Sequence, residues 1–324
     1  MRCLIVVPCL NEQAHIGPLL DRLDAAAARL DAQIVVADGG STDGTLDSLQ
    51  ARAGGRIAFF HNARRIQSAG INEAVTRYGN GFDWLMRIDA HGDYPDDFVD
   101  NVLADAEATG ADSVVVAMVT QGKGARQRAA ALAQNSRLGN GGSAHRAGGG
   151  GAFVDHGHHA AMRISAFQAV GGYDESFSHN EDAELDHRLR AAGYRIWMTD
   201  RTRMTYYPRA SLRALARQYF GYGKGRAMNL MKHRGRPRLR QLVPVFVAPV
   251  LAMAVLAPVA WVFALPALCY LLLCLGYGAA LGFRQGRPGE GVLAGLSAVI
   301  MHAAWSAGFW AALVRPARRR EVPA

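Results

Sequence analysis

Two acidic stations in this chain have residue types and spacings that can do chemistry. Asp89-Ala90-His91 follows a strand-like run, Trp84-Leu85-Met86-Arg87-Ile88. Residues two apart on extended backbone point the same way, so Asp89 and His91 can face one ligand. A carboxylate and an imidazole there suit a divalent cation, Mn or Mg, whose other ligands come from a diphosphate. Glu181-Asp182 opens a helical pattern continued by Leu185, Leu189 and Ala192, where a carboxylate can accept a proton. Acids at a helix start are also favoured by the helix dipole alone, and Glu184 and Asp186 read equally well that way. A third feature, Asp38-Gly39-Gly40-Ser41-Thr42-Asp43-Gly44-Thr45, follows a strand and opens a helix. Its glycines permit a tight turn, Ser41 to Asp43 can cap the helix, and the exposed amides there suit an anion. It is not G-x-G-x-x-G and lacks the lysine of a P-loop, which disfavours a dinucleotide-binding dehydrogenase or an NTPase.

These stations need elements to hold them. Strand and helix signals alternate from the start: Arg2 to Val7 as strand, Glu12 to Leu30 as helix, Gln33 to Ala37 as strand, Asp43 to Arg52 as helix and Ile57 to Phe60 as strand. Arg65 to Tyr78 then reads as helix, Phe82 to Ile88 as strand, Asp96 to Ala108 as helix and Ser113 to Val116 as strand. Such alternation predicts an α/β fold, a mainly parallel sheet with helices on both faces. Ligands of such sheets gather at the carboxyl ends of the strands, where Pro8 to Glu12, Asp38 to Thr45 and Asp89 to His91 all fall. Gly139 to Gly151 is glycine-rich and reads either as a linker or as a loop that approaches a substrate closely. His156, His158 and His159 invite a metal reading, with Asp155 an equally good candidate.

The rest of the chain is apolar. Leu242 to Phe283 contains no charged residue. As one helix it would run roughly 63 Å at about 1.5 Å per residue, against a hydrocarbon core about 30 Å thick. Two spans or a hairpin are expected, with Pro258 or Leu265-Pro266 as the turning point. Gly291 to Val314 is a further span-length run with His302 as its one ionisable group. Lys and Arg total 36 against 27 Asp and Glu, a formal charge of +9. From Arg203 to Arg240 there are eleven basic residues and no acid, and this block abuts the apolar run. A cytoplasmic membrane surface is therefore a simpler partner than nucleic acid. A third full span would place Arg315, Arg318, Arg319 and Arg320 on the wrong side for the positive-inside rule. Either Gly291 to Val314 is re-entrant, or an earlier segment only lies in the interface. Cys3, Cys9, Cys269 and Cys274 form neither a zinc site nor a disulfide framework, and Met1 to Pro8 has no signal-peptide pattern. The expected division is a cytoplasmic domain of residues 1–235, with 203–240 as an interfacial basic segment, and a membrane region of residues 241–324.

Five motifs in order resemble glycosyltransferase family 2, with its GT-A fold, over roughly residues 1–235. They are V-P-C-L-N-E, A-D-G-G-S-T-D-G-T, the Asp-x-His after a strand, G-G-Y-D-E and N-E-D-A-E-L-D-H-R-L-R-A-A-G-Y. Tyr206-Tyr207-Pro208-Arg209 and Gln218-Tyr219-Phe220-Gly221-Tyr222-Gly223 resemble the succinoglycan-type exopolysaccharide members. The resemblance implies inverting transfer of one sugar, glucose from UDP-glucose, to a polyprenyl-diphosphate-linked saccharide at the bacterial inner membrane, beside other polysaccharide-assembly proteins. It implies that Pro8, Asn11 and Glu12 border the nucleotide and that Asp38, with Gly39 and Ser41, binds the base. Arg65, Gly70 and Asn72 would close over the donor, and Asp89 with His91 would hold the metal and diphosphate. Asp182 would be the general base beside Glu181, and Arg146, Gln218 and Arg226 would meet the acceptor or its diphosphate. The chain departs from the family in carrying His91 where the motif usually has a second Asp. It also lacks the Q-x-x-R-W of processive synthases, which implies addition of one sugar at a time. Two other readings stay open: a simpler lipid acceptor, or a membrane-attached binding protein that holds a nucleotide sugar without turnover.

Overall fold

The computed structural model describes residues 1–141, 151–235 and 239–314. Chain contacts divide these into two compact units, residues 1–118 with 151–205, and residues 119–141 with 206–235 and 239–314. Of the expected 1–235 domain, residues 119–141 and 206–235 thus belong to the second unit.

In chain order the elements are β1 (Cys3–Cys9), α1 (Gln13–Leu30), β2 (Ala32–Asp38), α2 (Thr45–Gln50), β3 (Ile57–His61), α3 (Gln67–Tyr78), β4 (Trp84–Arg87), α4 (Phe98–Thr109) and β5 (Ser113–Thr120). Then follow α5 (Ala125–Asn135), β6 (Ala152–Phe153), β7 (His158–Arg163), α6 (Ile164–Ala169), α7 (Glu181–Ala191), β8 (Ile196–Tyr206), α8 (Leu212–His233), α9 (Leu265–Arg284) and α10 (Pro288–Val314). The strands form one sheet in the order β3-β2-β1-β4-β7-β5-β8-β6. Its first four strands are parallel, as expected. The other half is not: β7 runs antiparallel to both β4 and β5, and β6 antiparallel to β8. The sheet is therefore mixed, with β7 inserted between two strands that point the same way.

Both faces of the sheet are covered, which is why β1 reads as an unbroken apolar run. In β1, Cys3, Ile5 and Val7 pack with Ile16, Leu19, Leu20 and Leu23 of α1 and Phe98, Val99 and Val102 of α4. The alternate residues, Leu4 and Val6, pack with Ile71, Ala74 and Val75 of α3 and Leu185 and Leu189 of α7. Each fully buried aliphatic side chain contributes about 1.5–3 kcal/mol relative to exposure, so neither face can be stripped. The register Cys9↔Asp38 and Asp38↔His61 brings the ends of β1, β2 and β3 to one edge, with Val6↔Arg87 setting β4 beside them.

The second unit is helical. Ala129, Ala130 and Ala133 of α5, Leu215 of α8, and Ala294, Ala298 and Met301 of α10 form one core. Glycines bring the helices close. A Cβ at Gly223 of α8 would lie 1.8 Å from the Trp305 carbonyl oxygen, and one at Gly278 of α9 would lie 2.4 Å from the Gly295 nitrogen. Two helical stretches, Trp261–Arg284 and Pro288–Val314, are long and apolar enough to cross a membrane. Leu242 to Phe283 therefore holds one span-length helix rather than two. Pro244, Pro249 and Pro258 divide the stretch before it into the short helices Leu239–Val245 and Val247–Met253 and two single turns. Pro266 starts the long helix, a position where its missing N–H costs nothing. On α9, Leu272 and Leu273 are exposed, part of a broad apolar face.

Candidate active site

The centre of the first unit is an arginine. Arg87 is the last residue of β4, with its side chain 5% exposed. It shares a strand face with Leu85, which packs on the α7 side, so alternation aims the guanidinium at α7. Its Nη1 donates to Asp182 Oδ1 at 2.6 Å and its Nε to Asp89 Oδ1 at 3.1 Å. The Gln67 side-chain amide lies against the same guanidinium. One buried cation thus ties together the two carboxylates expected to act on opposite sides of a substrate. Burial opposes the charges, but Asp182 and Asp89 hold Arg87 protonated, and Arg87 in turn holds both carboxyls below their ordinary range, Asp182 well below it. The Asp89 N–H donates to the Tyr94 hydroxyl at 2.9 Å, which fixes the chain just beyond β4.

Asp182 lies in the first turn of α7, behind Asn180 in a left-handed conformation (φ 62°). Two donors meet its Oδ1, Arg87 at 2.6 Å and the Tyr173 hydroxyl at 3.1 Å, with His159 Nδ1 3.3 Å away. The neighbour of Oδ2 is His158 Nδ1, at 3.8 Å. His158 also sets Nε2 3.6 Å from Asp89 Oδ2, so this ring stands between the outer oxygens of the two carboxylates. Burial pushes its pKa down to about 4, against the pull of Asp89 and Asp182, and the ring is neutral at physiological pH. Burial and the adjacent Asp182 push Glu181 up to about 7. Adjacent acids driven apart in this way are the arrangement from which acid–base roles are built.

The donor-side residues behave differently. Asp38 is 1% exposed. Its carboxylate accepts from the Gly40 N–H at 2.9 Å, the Ser41 N–H at 3.1 Å and the Ser41 hydroxyl at 2.5 Å. These bonds make Asp38 an anchor of the loop. Ser41 is likewise buried in this turn, and its Oγ accepts from the Asn11 N–H at 2.8 Å. Asn11 Oδ1 accepts from the Thr42 N–H at 2.8 Å, and the Glu12 N–H donates to Thr45 Oγ1 at 2.9 Å. Gly39 donates its N–H to the Cys9 carbonyl at 2.8 Å, and Pro8 is half-buried at the end of β1. Gly70 and Asn72 are also built into the fold. A Cβ at Gly70 would meet Ala37 at 2.9 Å, and Asn72 is fully engaged with Tyr173 and Glu175. Arg65 does stay exposed, in a left-handed conformation (φ 57°), with its guanidinium beside Gly40. Leu10, Asn11 and Thr42 are the exposed side chains of the two loops next to it.

His91 is half-exposed, with Nδ1 3.0 Å from Glu12 Oε1. Among the described residues no group of three or more His, Cys, Asp or Glu side chains could hold a metal alone. The His156, His158 and His159 run is therefore no metal centre: His156 and His159 both bind Asp186, and His158 faces Asp89 and Asp182. Asp155 faces Arg190. What fits a hard cation is Asp89 Oδ2, whose neighbour His158 Nε2 stands off at 3.6 Å, completed by phosphate oxygens. Arg146 lies outside the described residues. Gln218 and Arg226 sit on α8 in the second unit, where the Gln218 amide donates to the Tyr206 and Tyr222 hydroxyls at 2.8 and 3.0 Å. Sequence reasoning missed Arg87, Tyr173, His159 and Asp186 as site residues. A signal for Arg87 existed: a charged residue inside a strand buried on both faces needs a partner.

A mixed sheet with flanking helices and two carboxylates joined at its carboxyl edge is the arrangement of a GT-A glycosyltransferase. The model of Glycosyl transferase family 2 matches residues 4–171, and that of Glycosyl transferase family group 2 matches residues 91–283. The chain belongs to glycosyl transferase family 2 and is an enzyme of that class. Over 318 residues it is 57% identical to the succinoglycan biosynthesis protein ExoA of Rhizobium meliloti (strain 1021), an alignment covering 98% of this chain and 96% of that protein. Its fold is also similar to the mannosyltransferase PcManGT from Pyrobaculum calidifontis, solved in complex with GDP-Man and Mn2+. That likeness has a TM-score of 0.57 at 18% identity and covers 94% of this chain and 87% of the other.

Proposed function

We propose that this enzyme transfers a single sugar, glucose from UDP-glucose, with inversion, to a lipid-linked saccharide during exopolysaccharide assembly at the cytoplasmic face of the bacterial inner membrane. The observation that carries this reading is the Arg87 bridge, which holds Asp89 and Asp182 on one guanidinium, close enough to flank one hexose. Asp182 Oδ2 takes the proton of the acceptor hydroxyl. The freed oxygen lone pair forms the new bond to the anomeric carbon while the bond to the nucleoside diphosphate breaks, and its electrons leave with the diphosphate. One base on the face opposite the leaving group gives a β-linked product from an α-linked donor. Help from a positioned base contributes about 10²- to 10⁴-fold in rate. A divalent cation held by Asp89, with His91 beside it and phosphate oxygens completing its shell, would supply Lewis-acid stabilisation of the leaving diphosphate. Arg65, exposed beside the Gly40 turn, binds the diphosphate's negative charge.

The membrane reading rests on charge and length. Trp261–Arg284 and Pro288–Val314 are long and apolar enough to cross a membrane, and the acid-free block from Arg203 to Arg240 sets basic charge next to this apolar region in the chain. That basic charge supports a catalytic unit on the cytoplasmic side. Gln218 and Arg226 on α8 would meet the acceptor diphosphate at that surface. The test is a panel of UDP-glucose, UDP-galactose, UDP-N-acetylglucosamine and GDP-mannose presented to membranes containing the enzyme, with and without Mn2+. Transfer from UDP-glucose into the lipid fraction supports the proposal. Transfer only from another donor, or only to water-soluble acceptors, contradicts it.

A further inference from the structure

Behind Asp182 lies a buried chain that the reaction described above does not use. Asp182 and Asp186 stand one turn apart on α7, an arrangement that by itself is repulsive. His159, wholly buried, lies between them. Its Nδ1 is 2.8 Å from the Tyr173 hydroxyl and 3.3 Å from Asp182 Oδ1, and its Nε2 is 2.7 Å from Asp186 Oδ1. Asp186 Oδ2 in turn meets His156 Nδ1 at 2.7 Å and accepts from the Gly157 N–H at 3.3 Å.

His159 reaches this place through a break in strand register. Val114 pairs with Ala161 but Val115 pairs with His159, so Ala160 is an extra residue on β7. Ala160 and Ala161 both pack toward α1 and α4, while Met162 packs toward α3 and α7. Without the bulge, alternation would aim His159 away from α7. With it, the imidazole turns toward Asp182 and Asp186, the re-aiming for which bulges are known.

We infer that His159, braced by Asp186, is a positioning residue that fixes the Asp182 carboxylate through Oδ1 and so leaves Oδ2 as the oxygen that takes the acceptor's proton. Geometry carries this. Arg87 and the Tyr173 hydroxyl donate to Oδ1. His159, which donates Nδ1–H to that hydroxyl, sets its ring nitrogen 3.3 Å from the same oxygen, so all three groups hold the carboxylate by Oδ1. Its other oxygen points to the ring of His158 and the space beside Asp89. The groups facing His159 are Asp182 and Asp186 from α7, the Tyr173 hydroxyl and the adjacent His158. Burial opposes its charged form, but Tyr173, Asp186 and Asp182 outweigh burial and hold the ring protonated well above the ordinary histidine range. A cation between two acids one turn apart removes their repulsion and keeps Asp182 ionised.

The inference rests on Asp182 being the base, and the experiment separates the two. His159→Gln, Asp186→Asn and Asp182→Asn are made in the full chain and purified in detergent. Folded sites are counted by UDP titration, and transfer is measured against donor concentration and pH. Removing the partner behind a functional side chain lowers activity on the order of 10- to 100-fold. We expect that loss in kcat per UDP site for His159→Gln and Asp186→Asn, with donor KM changed less than about threefold. The acid limb of the kcat profile should move to higher pH in His159→Gln, because Asp182 has lost the cation beside it that keeps it ionised. A kcat within about twofold of wild type in whichever of the two variants binds UDP normally, or an unmoved acid limb in His159→Gln, overturns the inference. If Asp182→Asn is inactive while those variants are normal, only the positioning role fails. If Asp182→Asn is fully active, the reading of Asp182 as base fails.

Discussion

The two sides of the candidate site treat their polar residues in opposite ways. On the donor side, Asp38, Ser41 and Asn72 are consumed in building the cradle, each bonded to a neighbouring loop or turn. What that side offers a ligand is the exposed rim of Leu10, Asn11, Thr42 and Arg65. On the other side, Asp89 and Asp182 are each held by one oxygen and keep the second turned outward. A motif residue can therefore be essential in two ways: as architecture that shapes a surface, or as a group whose unsatisfied valence does chemistry. Hydrogen-bond saturation tells them apart.

Substitutions can break or sharpen this contrast. Asp182→Asn keeps the shape and removes the base, so transfer should fall about 10²- to 10⁴-fold while UDP binding is preserved. Labelled-donor assays with calorimetry on the same preparation measure both. Arg87→Met leaves two buried carboxylates without their cation. Breaking a buried pair costs about 3–5 kcal/mol, and thermal unfolding in detergent should show the largest stability loss of the set. Asp38→Asn should act through the loop. Losing charge at a carboxylate that accepts from Gly40 and Ser41 costs about 1–3 kcal/mol, and it should raise donor KM with little change in kcat. An Asp38→Asn enzyme with normal KM and reduced kcat would reverse the assignment of the two sides.

The smallest expected effect is on pH dependence. Glu181, pushed up to about 7 against an ordinary 4.5, binds its proton more tightly folded than unfolded. Its contribution to stability is therefore present below its unfolded pKa and lost as pH rises through about 7. Glu181→Gln should flatten the stability profile across that window and remove an inflection near pH 7 from the rate profile. Melting temperatures and initial rates from pH 5 to 8.5 check both, and an unchanged inflection would assign it to another group.

Much of the frame was legible from patterning. Five strands and the helices between them follow from apolar runs and periodicity, and the N-terminal strand–helix alternation places the loops Pro8 to Glu12, Asp38 to Thr45 and Asp89 to His91 at one edge. β7 was not legible, because His158-His159-Ala160-Ala161-Met162-Arg163 is neither β-branched nor alternating, and its bulge depends on pairing with β5. The buried roles of His159, Tyr173 and Asp186 come from three separate segments meeting, which spacing along the chain does not encode. Along the apolar tail, the charge-free run to Phe283 reads as two spans or a hairpin, or as a segment lying in the interface, and the prolines at 244, 249 and 258 fall where its first part is broken into short helices.

The central claim is that one carboxylate, Asp182, tied by Arg87 to Asp89, accepts a proton on the face opposite the leaving diphosphate. The most direct test is the anomeric configuration of the product formed from UDP-glucose and membrane acceptor lipids, read by proton NMR of the released saccharide. A β-linked glucose is predicted. An α-linked product would mean that the configuration is retained, and that Asp182 does not act as the base of a single displacement.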